Sequence, residues 1–421
     1  MLDKYFKQLK TQDRIQASWL SEPIERYVIS LHNQKYAATS ISRRVSILMH
    51  FGEFAQTQGA RTWQELPDLV EPFIAQWRCD HGKHCKTKEA IRQVTSVAQT
   101  PINQMLRVVI PDYTGGQRRS QPLPLIDHAP GFFTYLEEER GLRELTIRSY
   151  VINLRRLERY LQQIDLDSLN ALSPPVLSAF MTESSQSLSK NPLQCLGSQL
   201  RIFLRYLYRE GLILKDLSAT VDAPRIYRLS DIPRSISWVD VQRMLDAVDC
   251  RDGIGKRDYA VLLLLVTYGL RAREVAGITL DTIDWQQERL RVPERKAGHS
   301  TAYPLSPVVG EAIVDYLQHG RPESEERKLF LRAIAPYNPL RWEAVAQRTS
   351  HYLKKSGVQV ARAGSHTLRH SCIQRLVDAN FPLKTIGDYV GHSSPSSTQV
   401  YTKINVEALR NIALGDGEDV L

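Results

Sequence analysis

The stretch from Ser365 to Tyr401 reads SHTLRHSCIQRLVDANFPLKTIGDYVGHSSPSSTQVY and brings His366, Arg369, His370, His392 and Tyr401 close together in the chain. His366 and Arg369 stand three apart, so on a helix they share a face. A guanidinium between two imidazoles points toward an anion, because Arg presents a two-pronged fork that matches phosphate. His366 and His370 also have the i, i+4 spacing of a helical zinc pair. The position after the first His, where a metalloprotease motif carries Glu, is Thr367, so the metal reading is the poorer one. A tyrosine with an ordinary pKa near 10 is a poor nucleophile unless cations surround it. The chemistry these residues suggest is attack by Tyr401 on a phosphate held by the Arg and His residues before it.

Two upstream pieces would have to fold in to make such a pocket cationic. In Gly269-Leu270-Arg271-Ala272-Arg273-Glu274 an apolar helix ends at a glycine and delivers Arg271 directly after it. Taken alone, that arginine could equally complement a helix dipole. Lys296 sits in the turn of a predicted hairpin, where a lysine alone reads as solvated.

In this order and spacing the pieces resemble the tyrosine recombinase/integrase family. Its GLR-x-x-E box is matched by Gly269 to Glu274, its hairpin lysine by Lys296, and its H-x-L-R-H box by His366 to His370. Its L-G-H-x-S-x-x-T-T-x-x-Y-T box is matched from Val390 to Thr402, with Val390 replacing Leu and Ser397 replacing the first Thr. The resemblance implies a DNA strand transesterification. Tyr401 would be the nucleophile, forming a 3′-phosphotyrosyl link. Arg271 and Arg369 would clamp the non-bridging oxygens, and Lys296 would protonate the leaving 5′-oxygen. His366 would act as acid and base, His392 would bond the phosphate, and Glu274 would support the site. It also implies that no metal, ATP or other cofactor is needed, that the partner is double-stranded DNA, and that a homo- or hetero-tetramer forms on paired sites. A mobile-element role in integration, excision or transposition follows from the extra N-terminal material. Two other functions stay open at this point: a type IB-like topoisomerase and a catalytically idle DNA-binding partner of other recombinases.

The elements that must position these groups divide the chain in three. Residues 1–115 read as a helical N-terminal domain and 128–222 as a second helical block, similar to the family's core-binding (SAM-like) domain. The catalytic domain is expected over 235–415. The expected fold is mainly α with a small β-hairpin or sheet in the catalytic domain. Ser237 is placed to cap a helix starting at Trp238, and 258–270 reads as a buried helix. Leu290–Val292 and Thr301–Tyr303 flank the turn that holds Lys296. Shifting the first helical block by 106 residues lays Tyr27 on Phe133, Ile41 on Ile147, Leu48 on Leu154, Phe54 on Tyr160 and Val70 on Val176. This suggests an internal duplication, and makes the first block either a core-binding-like copy or an arm-type DNA-binding domain. Pro- and Gly-rich linkers fall near 100–130 and 222–237. The second is basic, and fits either a strap along a phosphate backbone or a solvated linker. The helix expected over 405–414 is a candidate for docking onto a neighbouring subunit, and the last residues read as an acidic tail.

The 421 residues carry a net charge of +9, which favours an anionic partner such as nucleic acid. The longest apolar run, Ala260 to Val266, is too short to span a bilayer, and the N-terminus lacks a signal-peptide core. A cytoplasmic, DNA-associated protein without a membrane partner is expected. Five cysteines, odd in number and mostly isolated, fit free thiols. Cys79, His81, His84 and Cys85 crowd four zinc-ligating side chains into seven residues. That is tighter than ordinary zinc spacing, and the stretch RCDHGKHCKTK also reads as a basic turn.

Overall fold

The computed structural model describes residues 1–115, 122–225, 235–292 and 300–391. They form two compact units, Met1–Gln117 with Ile232–Leu421, and Arg118–Asp231.

The first block of the larger unit holds α1 (Leu9–Gln16), α2 (Ser21–Asn33), α3 (Ala38–Thr57), α4 (Leu66–His81) and α5 (Lys88–Val109). Apolar residues at helical spacing explain the bundle. Ile24, Tyr27, Val28 and Leu31 of α2 meet Ile41, Val45 and Leu48 of α3, and Ile102, Met105 and Leu106 of α5 close the core. Ala335 and Tyr337, from far along the chain, pack onto this same core. Beside them Lys35 Nζ donates to the Glu323 carbonyl at 3.3 Å.

The smaller unit holds α6 (Phe132–Thr134), which runs on as a π turn over Tyr135–Glu139, then α7 (Glu144–Gln163), α8 (Pro174–Ser187) and α9 (Lys190–Arg209). Its backbone repeats that of the first block. The helices α3 and α7 start and end 106 residues apart (144 − 38 and 163 − 57). Left-handed turn residues recur at the same offset, Lys35 with Gly141 and Gly59 with Asp165. The closing bond Ala60 N–H to Ala55 O has its counterpart in Leu166 N–H to Leu161 O, both at 3.0 Å. The ungapped register does not extend to Val70. From there the buried positions run one residue later, Val70, Phe73 and Ile74 corresponding to Leu177, Phe180 and Met181. The tilted ring pair Phe54–Phe73 (5.5 Å) accordingly recurs as Tyr160–Phe180 (5.3 Å). Along α5 and α9 the offset is 98, which lays buried Ala98, Ile102, Met105 and Leu106 on buried Leu196, Leu200, Phe203 and Leu204.

The last block begins with α10 (Trp238–Asp246), whose Ser237 cap accepts from the Asp240 N–H as expected. Next come α11 (Gly253–Tyr268) and α12 (Ala272–Gly277). Every residue of α11 from Ala260 to Val266 is buried, and each leucine among them contributes roughly 1.5–3 kcal/mol relative to an exposed one. At the other end of α11, buried Asp258 accepts from Arg257 (2.8 Å) and Arg348 (2.5 Å), pinning the helix in place. Three strands follow, β1 (Ile283–Asp284), β2 (Arg289–Val292) and β3 (Thr301–Pro304), in an antiparallel sheet of order β1-β2-β3. Leu290 pairs with Tyr303 and Val292 with Thr301, so the strands flanking the expected hairpin turn are present, with a two-residue third strand added. The helices α13 (Pro307–His319), α14 (Trp342–Lys355), α15 (Ser365–Asp378) and α16 (Leu383–Val390) complete the block. Lys296, the basic segment 226–234 and everything from His392 onward, including Tyr401 and the stretch 405–414, lie outside the described residues.

Candidate active site

The site assembles where α11 ends. Gly269 caps that helix with φ +60°, the left-handed region that only glycine enters without cost. It also lies in a tight place: a Cβ there would meet Val390 Cγ1 at 3.1 Å and Cys372 Sγ at 3.2 Å. The chain then turns into Arg271, the residue before α12. Glu274, in the first turn of α12, accepts from the Arg271 backbone N–H and from its guanidinium, both at 2.8 Å. The carboxylate is nearly buried, with the guanidinium a quarter exposed (side chains 6% and 25%), so the arginine is aimed and keeps an open edge.

Arg369 comes from α15 and is almost fully buried, 4% exposed. Its Nη1 donates to the Gly269 carbonyl at 2.5 Å and its Nη2 to the Val390 carbonyl at 2.7 Å. Arg271 Nη2 donates to the next carbonyl, that of Gly391, at 3.1 Å. The two guanidiniums therefore meet at the C-terminus of α16, where Gly391 turns left-handed (φ +67°). His366, in the first turn of α15, opens onto solvent. Partial burial of its ring, and then the positive charges of Arg369, Arg271 and Arg362, hold its pKa below the ordinary 6.5. Such a ring is neutral at pH 7 and able to accept a proton. Its centroid is 6.4 Å from that of His370.

These residues sit inside a stretch with known relatives. Residues 235–408 match the phage integrase family and residues 130–211 the phage integrase N-terminal SAM-like domain. The chain is 30% identical over 302 residues to the tyrosine recombinase XerD of Yersinia pestis, an alignment covering 70% of this chain and 97% of that one. The chain belongs to the tyrosine recombinase (phage integrase) family. Membership makes it an enzyme of DNA recombination. The integrase/recombinase y4rF of Sinorhizobium fredii (strain NBRC 101917 / NGR234) is 28% identical over 419 residues, 98% of this recombinase and 95% of that chain. The fold is shared with a lambda integrase tetramer bound to a Holliday junction, at TM-score 0.52 and 18% identity, over 67% of this chain and 84% of that chain.

In this recombinase the structure thus brings together Arg271, Glu274, His366 and Arg369, four of the site residues expected from sequence. Lys296, His392 and Tyr401 fall outside the described residues. A set of tyrosines that sequence reasoning passed over ties the site to its scaffold. Tyr389 donates to the Thr267 carbonyl at 3.1 Å, Tyr303 donates to the Tyr389 carbonyl, and Tyr268 donates to the Pro304 carbonyl at 2.9 Å. These bonds tie α16 and β3 to the end of α11. Their one sequence signal is position, since Tyr268 immediately precedes Gly269 and Tyr389 stands two before Gly391. Cys372, buried beside Gly269, has its thiol pushed up to about 12 by burial, which leaves it an inert packing group.

The recombinase does not gather Cys79, His81, His84 and Cys85 around a common point. No three His, Cys, Asp or Glu side chains among the described residues are placed to share an ion, and His81 stacks on Trp77 with centroids 3.8 Å apart. Among the described residues no helix is long and apolar enough to cross a membrane.

Proposed function

We propose that this recombinase cuts and rejoins double-stranded DNA at specific sites through a 3′-phosphotyrosyl intermediate. The observation that carries the reading is the convergence of Arg271 and Arg369, 98 positions apart (369 − 271), on the carbonyls at the end of α16 with His366 alongside. The chain leaves that point directly into His392 and, nine residues on, Tyr401.

Tyr401 Oη attacks the scissile phosphorus, and the bond from phosphorus to the 5′-oxygen breaks. The phosphotyrosyl ester keeps the energy of the bond, so a 5′-hydroxyl from a second strand reverses the step without ATP. His366, kept neutral by partial burial and then by its cationic neighbours, takes the tyrosine proton. Lys296 returns a proton to the leaving 5′-oxygen. Arg271 and Arg369 stabilise the charge that grows on the non-bridging oxygens, with His392 as a further donor. Glu274 aims Arg271. With this charge supplied by side chains, the reaction proceeds without a metal ion.

The surplus of basic residues, +9 overall, supports a DNA partner. The lambda integrase neighbour, solved as a tetramer on a Holliday junction, supports action as a tetramer on paired sites. A role in moving a mobile element fits the integrase relatives. The test is a nicked duplex of the cognate site incubated with the full chain in EDTA and without ATP. A covalent protein–DNA product stable to denaturant is expected. Dependence on added Mg²⁺ would contradict the metal-free reading.

A further inference from the structure

The first helical block differs from its structural counterpart at the contact between two of its helices. In the smaller unit α7 and α9 are stitched together by side chains: Asn153 Nδ2 donates to Gln199 Oε1 at 2.7 Å, and Gln199 Nε2 donates to Ser149 Oγ at 3.0 Å. The corresponding positions of the first block, at offsets of 106 on α3 and 98 on α5, are Arg43, Ile47 and Pro101. Neither Ile47 nor Pro101 has a side-chain group that can make such a bond. The two helices stand over an open cleft of about 670 Å³ instead.

The lining of that cleft is rich in donors. Arg43, Arg44 and Arg92 supply three guanidiniums, and Gln93, Ser96 and Thr100 add an amide and two hydroxyls. Arg44 is a fixed charge: its Nη1 donates to Gln104 Oε1 at 2.5 Å and to the Tyr27 hydroxyl at 3.1 Å, and its guanidinium lies 4.9 Å from the Tyr36 ring. Arg43 is exposed and has no acidic partner among the described residues. Among the described residues Arg92 reaches only Glu89, the single carboxylate lining the cleft, across 3.4 Å with both side chains about four-fifths exposed (79% and 84%). Such a pair is weak and easily exchanged for a stronger anion. The basic run from Lys83 to Lys88 leads straight into this end of α5.

We propose that the α3–α5 cleft is a seat for the sugar-phosphate backbone of DNA, so that the first block grips the duplex as well as the domains behind it. Guanidinium forks flanked by hydroxyl and amide donors are the groups that position phosphates without reading bases. The cleft therefore adds affinity and reach along the duplex, not sequence choice. The proposal rests on the reading that this chain acts on double-stranded DNA.

The test measures binding of the full chain to a mixed-sequence duplex by fluorescence anisotropy over a series of KCl concentrations. Arg43→Ala combined with Arg92→Ala should weaken binding about tenfold or more and lower the slope of log K against log salt by about 1.8, two phosphates at roughly 0.9 each. Arg43→Lys with Arg92→Lys keeps both charges and should retain most of the slope. Arg14→Ala with Arg26→Ala removes exposed arginines elsewhere on the same block and should leave affinity within about twofold, as expected for surface positions off the contact. Wild-type slope and affinity in the Arg43/Arg92 alanine variant would overturn the seat alone. Equal losses in the Arg14/Arg26 control would overturn it too, by reducing the effect to general charge. A wild-type chain showing no salt-dependent binding would overturn both the seat and the DNA-acting reading beneath it.

Discussion

Arg369 and Arg271 hold consecutive carbonyls at the end of one helix, Val390 O at 2.7 Å and Gly391 O at 3.1 Å. The same groups proposed to clamp a phosphate thus also fix the end of α16, after which the sequence runs on to His392 and Tyr401. A shift of either arginine would move the end of α16 along with the proposed phosphate clamp. Positioning of that kind governs rate steeply.

Arg369→Ala should abolish cleavage, a loss of at least about 10²–10³-fold, as for removal of other preorganised charge donors. DNA binding should stay within about tenfold, because many other phosphate contacts carry affinity. The variant should also lose about 2–4 kcal/mol of stability, since the buried carbonyls of Gly269 and Val390 lose a charged donor. Gel shift, cleavage and thermal melting on one preparation separate the three effects. A larger drop in binding would make Arg369 an affinity or structural residue.

Gly269→Ala and Gly357→Ala form a matched pair. Both glycines are left-handed, at φ +60° and +71°, but only Gly269 has neighbours where a Cβ would go. Each should lose about 1–2 kcal/mol to backbone strain. Gly269→Ala should lose more, and should also slow cleavage, because Val390 and Cys372 must move away. Equal melting temperatures for the two variants would show that the close packing under the site does not constrain it.

His366 gives both stability and cleavage an acid limb. Its folded pKa lies below the ordinary 6.5, from burial and then the charges of Arg369, Arg271 and Arg362. Between the two values the unfolded chain binds more protons, so this contribution to stability is present above pH 6.5 and is lost as pH falls through the folded pKa. Cleavage should fall over the same acidic range as the ring becomes protonated and ceases to accept. His366→Gln should flatten that limb of the stability profile. An unchanged acid limb in the variant would assign it to other groups.

Much of this was legible in the chain because it depends on local pattern. Ser237 caps its helix through a short-range signal, 260–266 is apolar enough to be buried throughout, and Leu290 pairs with Tyr303 where alternation and a turn predict it. The GLR-x-x-E and H-x-L-R-H boxes located four of the converging residues. What escaped notice depends on tertiary contact. No local rule links Tyr389 to Thr267 or Arg369 to Val390, because each bond exists only once two separate helices have packed. The two residues of β1 are too short for any periodicity. Ala335 and Tyr337 join the core of the first block from more than 200 positions away (335 − 109), a pairing no sequence window contains. The ungapped register of the repeat failed at Val70 for a related reason, since buried faces tolerate a one-residue slip when the loop before the helix absorbs it.

Whether Tyr401 is the nucleophile is read by covalent capture on a nicked suicide duplex of the cognate site. The wild-type chain should give a protein–DNA adduct that resists denaturant, and Tyr401→Phe should give none while still binding the duplex. An adduct that persists in Tyr401→Phe, or none from the wild-type chain on a site it verifiably recombines, would contradict the account.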